Sequence, residues 1–185
     1  MMKLKSMILA GMFAAVTGVM AQISIPIPFS PVPITMQVFA VCLTAGILGA
    51  RLGSLSMLVY LLLGAAGAPV FAQLKGGIPV IFGYSGGYIW GYIIAAFIIG
   101  WIVEHVKSPG YGTMLAAMLV GLVIIYTTGT VQLAYVMGLT AREAIVAGVG
   151  WFLPLDAVKV FLAAGVAVNL RSSLVSGGLL VPGEL

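Results

Sequence analysis

Apolar residues run along this chain in long blocks rather than in the alternation of a half-buried strand or the one-sided stripe of a soluble helix. A membrane-crossing helix needs about 20 mainly apolar residues and tolerates glycine better than a soluble helix does. On that measure the blocks predict spans at Ser6–Ser24, Thr35–Ala50, Gly53–Ala68, Gly86–Val106, Thr113–Val136 and Pro154–Val175. The second and third are short and parted only by Arg51-Leu52-Gly53, which predicts a tight helical hairpin. The expected architecture is an all-α, polytopic bundle of six transmembrane helices. It forms one integral membrane domain over residues 1–185, with no repeat and no soluble linker.

Composition agrees. Of 185 residues, 62% are hydrophobic and 6% charged, against roughly 25% charged in a soluble domain. Such a chain cannot cover itself with polar groups, so its solvent is lipid. Met1 to Ala21 imitates a secretory signal with a small-residue end, but it is long enough to span and is expected to be a retained first helix. Cys42, the single cysteine, lies in an apolar run, cannot form an internal disulfide, and reads as packing material. No metal cluster is expected.

The few charges orient the bundle, because Lys and Arg collect at cytoplasmic ends. With both termini on one side, that side receives Lys3, Lys5, Arg51, Lys107 and Arg171, and the other receives Lys75 and Arg142. The termini are therefore expected in the cytoplasm. His105, between Glu104 and Lys107, reads as a solvated interfacial histidine. The opposite face then carries the three elaborate loops, Ile25–Ile34, Pro69–Ser85 and Met137–Leu153, and the site is expected there.

Three segments offer chemistry at that face. Asp156 and Lys159 share one side of the last helix, about 4.5 Å apart along its axis. Ionisable groups inside a membrane are costly and point to function. The bland alternative is a first-turn carboxylate behind Pro154 with a snorkelling lysine. Next, Gly83 to Tyr92 opens the fourth span. The backbone N–H groups near Gly86 and Gly87 could receive an anion, and Tyr84, Tyr88 and Trp90 supply flat surface with polar tips. An interfacial aromatic belt with packing glycines would look the same. Third, four prolines between Pro26 and Pro33 stiffen a loop that delivers Thr35 and Gln37 to the second span. A connector ending in an ordinary threonine cap is the alternative. In the first helix Ala10, Ala14 and Gly18 recur every four residues. Such a face suits close helix contact, either inside the bundle or with another membrane subunit.

Absent patterns narrow the function. There is no G-x-x-x-x-G-K-[ST], so no P-loop for ATP, and neither G-x-S-x-G nor H-E-x-x-H occurs. Catalysis is not expected, and no cofactor is implied.

These residues resemble the BioY family, the biotin-specific S components of energy-coupling-factor (ECF) vitamin transporters. The likeness runs over nearly the whole chain. It rests on Ala10–Ala14, Pro31-Val-Pro-Ile-Thr-Met-Gln37, Gly86-Gly87-Tyr88 and Phe152-Leu-Pro-Leu-Asp-Ala-Val-Lys159; Tyr84-Ser85 departs from the expected Pro-Thr. The resemblance implies a six-helix S component that binds biotin near the external face. It also implies partners, a transmembrane coupling protein and two ATPase subunits that meet the Ala10/Ala14 face, and transport by tilting of the whole S component. Under it Asp156 accepts from a ureido N–H, and Lys159 donates to the ureido carbonyl or pairs with the carboxylate. Thr35 and Gln37 add hydrogen bonds, backbone near Gly86 and Gly87 favours the carboxylate, and Tyr84, Tyr88 and Trp90 pack on the rings. Three alternatives remain: a subunit for another vitamin, an intramembrane enzyme using Asp156 and Lys159 as an acid–base pair, and a purely structural bundle.

Overall fold

The computed structural model describes residues 4–178. Lys3, one of the orienting charges, and the ends of the expected 1–185 domain lie outside the described residues. Five helices are long and apolar enough to cross a membrane: α1 (Leu4–Gln22), α2 (Gln37–Ala65), α4 (Gly86–Glu104), α5 (Tyr111–Met137) and α7 (Leu153–Ser176). Between them lie two short helices, α3 (Ile78–Phe82) and α6 (Ala141–Ile145), a 3-10 turn at Ala72–Leu74 and a π-helical turn at Val146–Gly150. One small departure from an all-α fold is a two-stranded ribbon that brackets the proline loop. Strand β1 (Ser24–Ile25) pairs antiparallel with β2 (Ile34–Thr35).

α2 is the structural centre. Continuous by its hydrogen bonds, it nonetheless reverses at Gly49, whose φ of 81° and ψ of −172° are not helical. Gly53 packs back on Ala45, with 3.1 Å between a β-carbon built at Gly53 and the Ala45 Cα. Tyr60 likewise reaches Gln37 across 2.7 Å, although a straight helix would hold them roughly 34 Å apart. This is the expected helical hairpin with its turn at Gly49. Each leg alone is shorter than the ~20 residues of an ordinary span. That φ/ψ pair belongs to glycine alone among the amino acids, and a β-carbon at Gly49 would overlap Glu104 Oε1.

Two charged side chains hold the reversal. Glu104 accepts from the Ala50 N–H at 3.0 Å, at the start of the second leg. Arg171 donates to the Gly46 and Ile47 carbonyls at 3.1 and 2.8 Å, at the end of the first. Anion on a helix N-terminus and cation on a C-terminus both match the helix dipole. Gly100 lets α4 approach, since a β-carbon there would overlap the Gly49–Ala50 backbone.

The two legs of α2 run through the core, lined by Val41, Cys42, Ile47, Leu48, Met57 and Tyr60, all at most 1% exposed. α4 packs beside them, and α5 packs on α4 through Gly87, Gly91 and Gly129. α5 ends at Gly138, whose φ of 64° allows the Leu139 N–H to reach the Ala134 carbonyl. α6 starts with a reciprocal capping box, Thr140 with Glu143. The Thr140 N–H and hydroxyl both donate to the Glu143 carboxylate and hold its pKa below the usual value. His105 is exposed and hydrogen-bonds the Trp101 carbonyl at 2.8 Å.

The face expected to meet a partner is occupied. Ala10 and Ala14 are at most 2% exposed, a β-carbon built at Gly18 would stand 3.4 Å from the Val70 side chain, and α1 lies chiefly against α2. The four-residue repeat therefore serves contact within the bundle, and the small residues left exposed on α1 are Gly11 and Ala15.

Candidate functional site

All three polar segments singled out in the sequence meet at the end of the bundle opposite Gly49. The connections are specific. Gln22 on α1 clamps the loop after α2: its amide nitrogen donates to the Val70 and Phe71 carbonyls at 3.3 and 3.2 Å, and its oxygen accepts from the Leu74 N–H at 2.9 Å. Gln132 on α5 holds the far end of that loop through the Ile81 and Gly83 carbonyls at 2.9 and 2.7 Å. The proline loop reaches the α6–α7 connection by stacking Phe29 on Trp151, ring centroids 4.9 Å apart.

Beneath these loops is a recess. Asp156, Thr35 and Gln37 line it with Tyr84, Tyr88, Tyr92, Tyr126, Phe71 and Phe152, and Gln73, Lys75 and Ser85 lie at its rim. Its volume is about 60 Å³, well below the ~300 Å³ at which small-molecule sites begin.

Asp156 is the best-held group in it. Phe152 and Pro154 open α7 so that Asp156 falls in the first turn, 3% exposed. One carboxylate oxygen receives the Lys159 ammonium at 2.6 Å and the other the Tyr126 hydroxyl at 2.8 Å. A carboxylate offers about four lone-pair positions, so two remain for a ligand. Gln37, 5% exposed, is similarly placed: its nitrogen donates to the Tyr60 hydroxyl at 2.7 Å and its oxygen accepts from the Thr35 hydroxyl at 3.0 Å. Tyr60 passes the chain on to the Val70 carbonyl at 3.1 Å. Tyr88 is fixed by its hydroxyl on the Gly148 carbonyl at 2.9 Å, its ring against Gly129.

Several expected residues have other places. Lys159 is not in the wall of the recess. Its ammonium lies behind Asp156 and donates to the Thr35 carbonyl at 2.8 Å, because a lysine at i+3 can turn back onto the same helical face and reach the proline loop. Gly86 and Gly87 pack closely on neighbouring backbone, and neither lines the recess. A β-carbon at Gly86 would overlap the Ile81 carbonyl, and one at Gly87 the Thr128 carbonyl, while the Gly86 N–H is taken by the Gly83 carbonyl at 3.1 Å. Trp90 does not line the recess and is 40% exposed.

Others were not anticipated. Tyr126 and Tyr60 lie deep in apolar spans, where nothing in the local pattern distinguishes them from belt or core aromatics. Lys75 carried only an orienting role in the sequence, yet its ammonium is 3.4 Å from the Tyr84 hydroxyl at the mouth. Gln73 and Leu74 have positive φ, 62° and 56°. Together they form a tight turn that the Gln22 oxygen stabilises, an unusual backbone for side chains bearing a β-carbon.

Comparison with known proteins bears on what this recess receives. The model of the family described as the BioY family matches residues 1–176. A biotin transporter BioY of Thermotoga maritima is 42% identical over 168 residues, 91% of this chain and 96% of that protein. A probable biotin transporter BioY of Pyrococcus horikoshii is 42% identical over 172 residues, 93% and 99% of the two chains. Among solved structures, the S-component for biotin from an ECF-type ABC transporter superposes with a TM-score of 0.86 at 25% identity, covering 93% of this chain and 95% of that one.

Proposed function

The chain belongs to the BioY family, and from that premise we propose that it is the biotin-binding subunit of an ECF-type importer, taking biotin into the recess beneath its loops. It is a multi-pass membrane protein. The observation that carries the ligand reading is Asp156, a buried carboxylate held from behind by Lys159 and from the side by Tyr126 in an otherwise aromatic recess.

Biotin's ureido ring presents two N–H donors and a strongly polar carbonyl. Asp156 accepts from an N–H through its unused lone pairs, and Gln37 and Thr35 complete the polar end. Tyr84, Tyr88, Tyr92 and Phe71 cover the bicyclic rings, where apolar contact supplies affinity and the few polar groups supply orientation. The valerate carboxylate goes to the mouth, where Lys75 and the Tyr84 hydroxyl lie together. Lys159 then acts through Asp156 and Thr35 rather than on the ligand. A recess of about 60 Å³ is smaller than a biotin-sized ligand requires, so binding entails an outward shift of the loops that cover it. The membrane-facing Gly11 and Ala15 of α1 offer the close approach that a transmembrane coupling protein needs. ATP hydrolysis falls to partner subunits, since the chain has no P-loop.

Equilibrium binding of labelled biotin to detergent-purified protein tests this. The expected result is saturable binding with the ligand recovered intact, displaced by unlabelled biotin but not by thiamine or riboflavin. Equal displacement by either vitamin would give the scaffold another ligand. Turnover of biotin would make it an enzyme.

A further inference from the structure

At the end opposite the recess, beside the Gly49 reversal, a groove of about 1030 Å³ opens between α4, α7 and the α4–α5 connection. It has two halves. Towards the bundle end it is cationic, lined by Arg51, Lys107 and Arg171 with, among the described residues, a single carboxylate, Glu104. That carboxylate is engaged on the Ala50 N–H and Arg171 on two carbonyls. Arg51 and Lys107 are exposed and have no carboxylate partner among the described residues. Further into the span the groove is apolar, lined by Phe97 and Val168, with Trp101 between the halves. Phe97, Trp101 and Glu104 lie along α4, so the change from apolar to charged wall takes about 10 Å of helix.

We propose that this groove holds an anionic phospholipid, with its phosphate against Arg51 and Lys107 and an acyl chain along Phe97 and Val168. Charge complementarity selects an anion, since among the described residues Arg51 and Lys107 stand in the groove without a carboxylate partner and its one carboxylate, Glu104, is engaged on the Ala50 N–H. The apolar half selects a lipid over a free phosphate: Phe97 and Trp101 are 44% and 48% exposed on a helix that spans the membrane, and an inorganic ion has nothing to place there. Basic pockets between helices at this depth suit lipid headgroups. The groove adjoins the residues that hold the α2 reversal, so an occupying lipid would brace the turn from outside.

The test is native mass spectrometry of the full chain, purified in detergent and offered equal amounts of phosphatidylglycerol and phosphatidylcholine. Preferential retention of phosphatidylglycerol is expected. Each lost cation should weaken it about five-fold, so Arg51→Gln with Lys107→Gln should lose roughly 25-fold, and Arg142→Gln at the other end nothing. Lys107→Gln alone lies in an exposed connection and keeps the test open should the double variant not fold. Equal retention of the two lipids overturns the proposal, as does an unchanged preference in these variants. So does release of phosphatidylglycerol by excess inorganic phosphate, which would indicate a free-anion site, or by a coupling-protein peptide with no lipid preference of its own, which would indicate a protein interface. Biotin takes no part in the readout, so failure here leaves the transport assignment standing.

Discussion

Asp156, Lys159, Tyr126 and Thr35 form one connected polar unit in an apolar surrounding. The side chains in such a unit are worth unequal amounts. Removing the charge of Asp156 leaves a buried lysine without its counter-ion, a loss of roughly 3–5 kcal/mol when it is complete. Tyr126 contributes one hydrogen bond to an ionised acceptor, about 1.5–3 kcal/mol. Titration calorimetry with biotin should therefore rank Asp156→Asn as the more damaging change and Tyr126→Phe as the milder. Biotin affinity unchanged in Asp156→Asn would remove this residue from the site. Sequence showed three of its four members. A charged i,i+3 pair stands out in a span with hardly any other charge, and so does a Thr-x-Gln after a proline loop. Tyr126 does not stand out, because a tyrosine in a membrane helix carries no local mark of the partner it will find thirty residues later. The division of labour between Asp156 and Lys159 was hidden for a related reason: only the folded loop provides the Thr35 carbonyl that draws the ammonium away from the recess.

At the scale of elements, α2 shows how little backbone a reversal needs when its ends are held. Arg51-Leu52-Gly53 marked the place to within a few residues. The turn itself falls at Gly49, inside what composition reads as the second span. Glu104 and Arg171, which counted only as interfacial charges in the sequence, are the groups that stabilise it. Replacing Gly49 with alanine forces a side chain into a glycine-only conformation, about 1–3 kcal/mol, and displaces the Glu104 carboxylate as well. Thermal unfolding in detergent should show Gly49→Ala clearly less stable than Gly53→Ala, whose β-carbon would stand a tight 3.1 Å from the Ala45 Cα but needs no glycine-only backbone. Equal midpoints for the two would mean that the reversal bears no strain. The small-residue repeat of α1 gives the complementary lesson. Spacing shows that one face is narrow. It does not say whether that face meets its own bundle or a partner, and here Ala10, Ala14 and Gly18 meet their own.

For the whole molecule, loops with aromatic and polar side chains gather at one end and short turns with cations at the other. We propose that the loop end faces outward, because the cations Lys5, Arg51, Lys107 and Arg171 belong to the turn end. Cys42 is completely buried, so single cysteines elsewhere report cleanly. A membrane-impermeant maleimide applied to intact cells should label Lys75→Cys, and should reach Lys107→Cys only after the membrane is opened. Labelling in the reverse order would turn the molecule over and put the recess in the cytoplasm.

Sequence alone determined that the chain lives in lipid, where its apolar blocks run, which family it resembles, and which charged pair deserved suspicion. All of these are local or additive properties, set by the cost of placing polar groups in hydrocarbon. Tertiary structure decided which side chains share the recess and which stand behind it, which glycines pack against neighbouring backbone, and where α2 turns. Those outcomes depend on partners distant in the chain, such as Gly148 for Tyr88 or Glu104 for Ala50, and no window of sequence contains both members of such a pair.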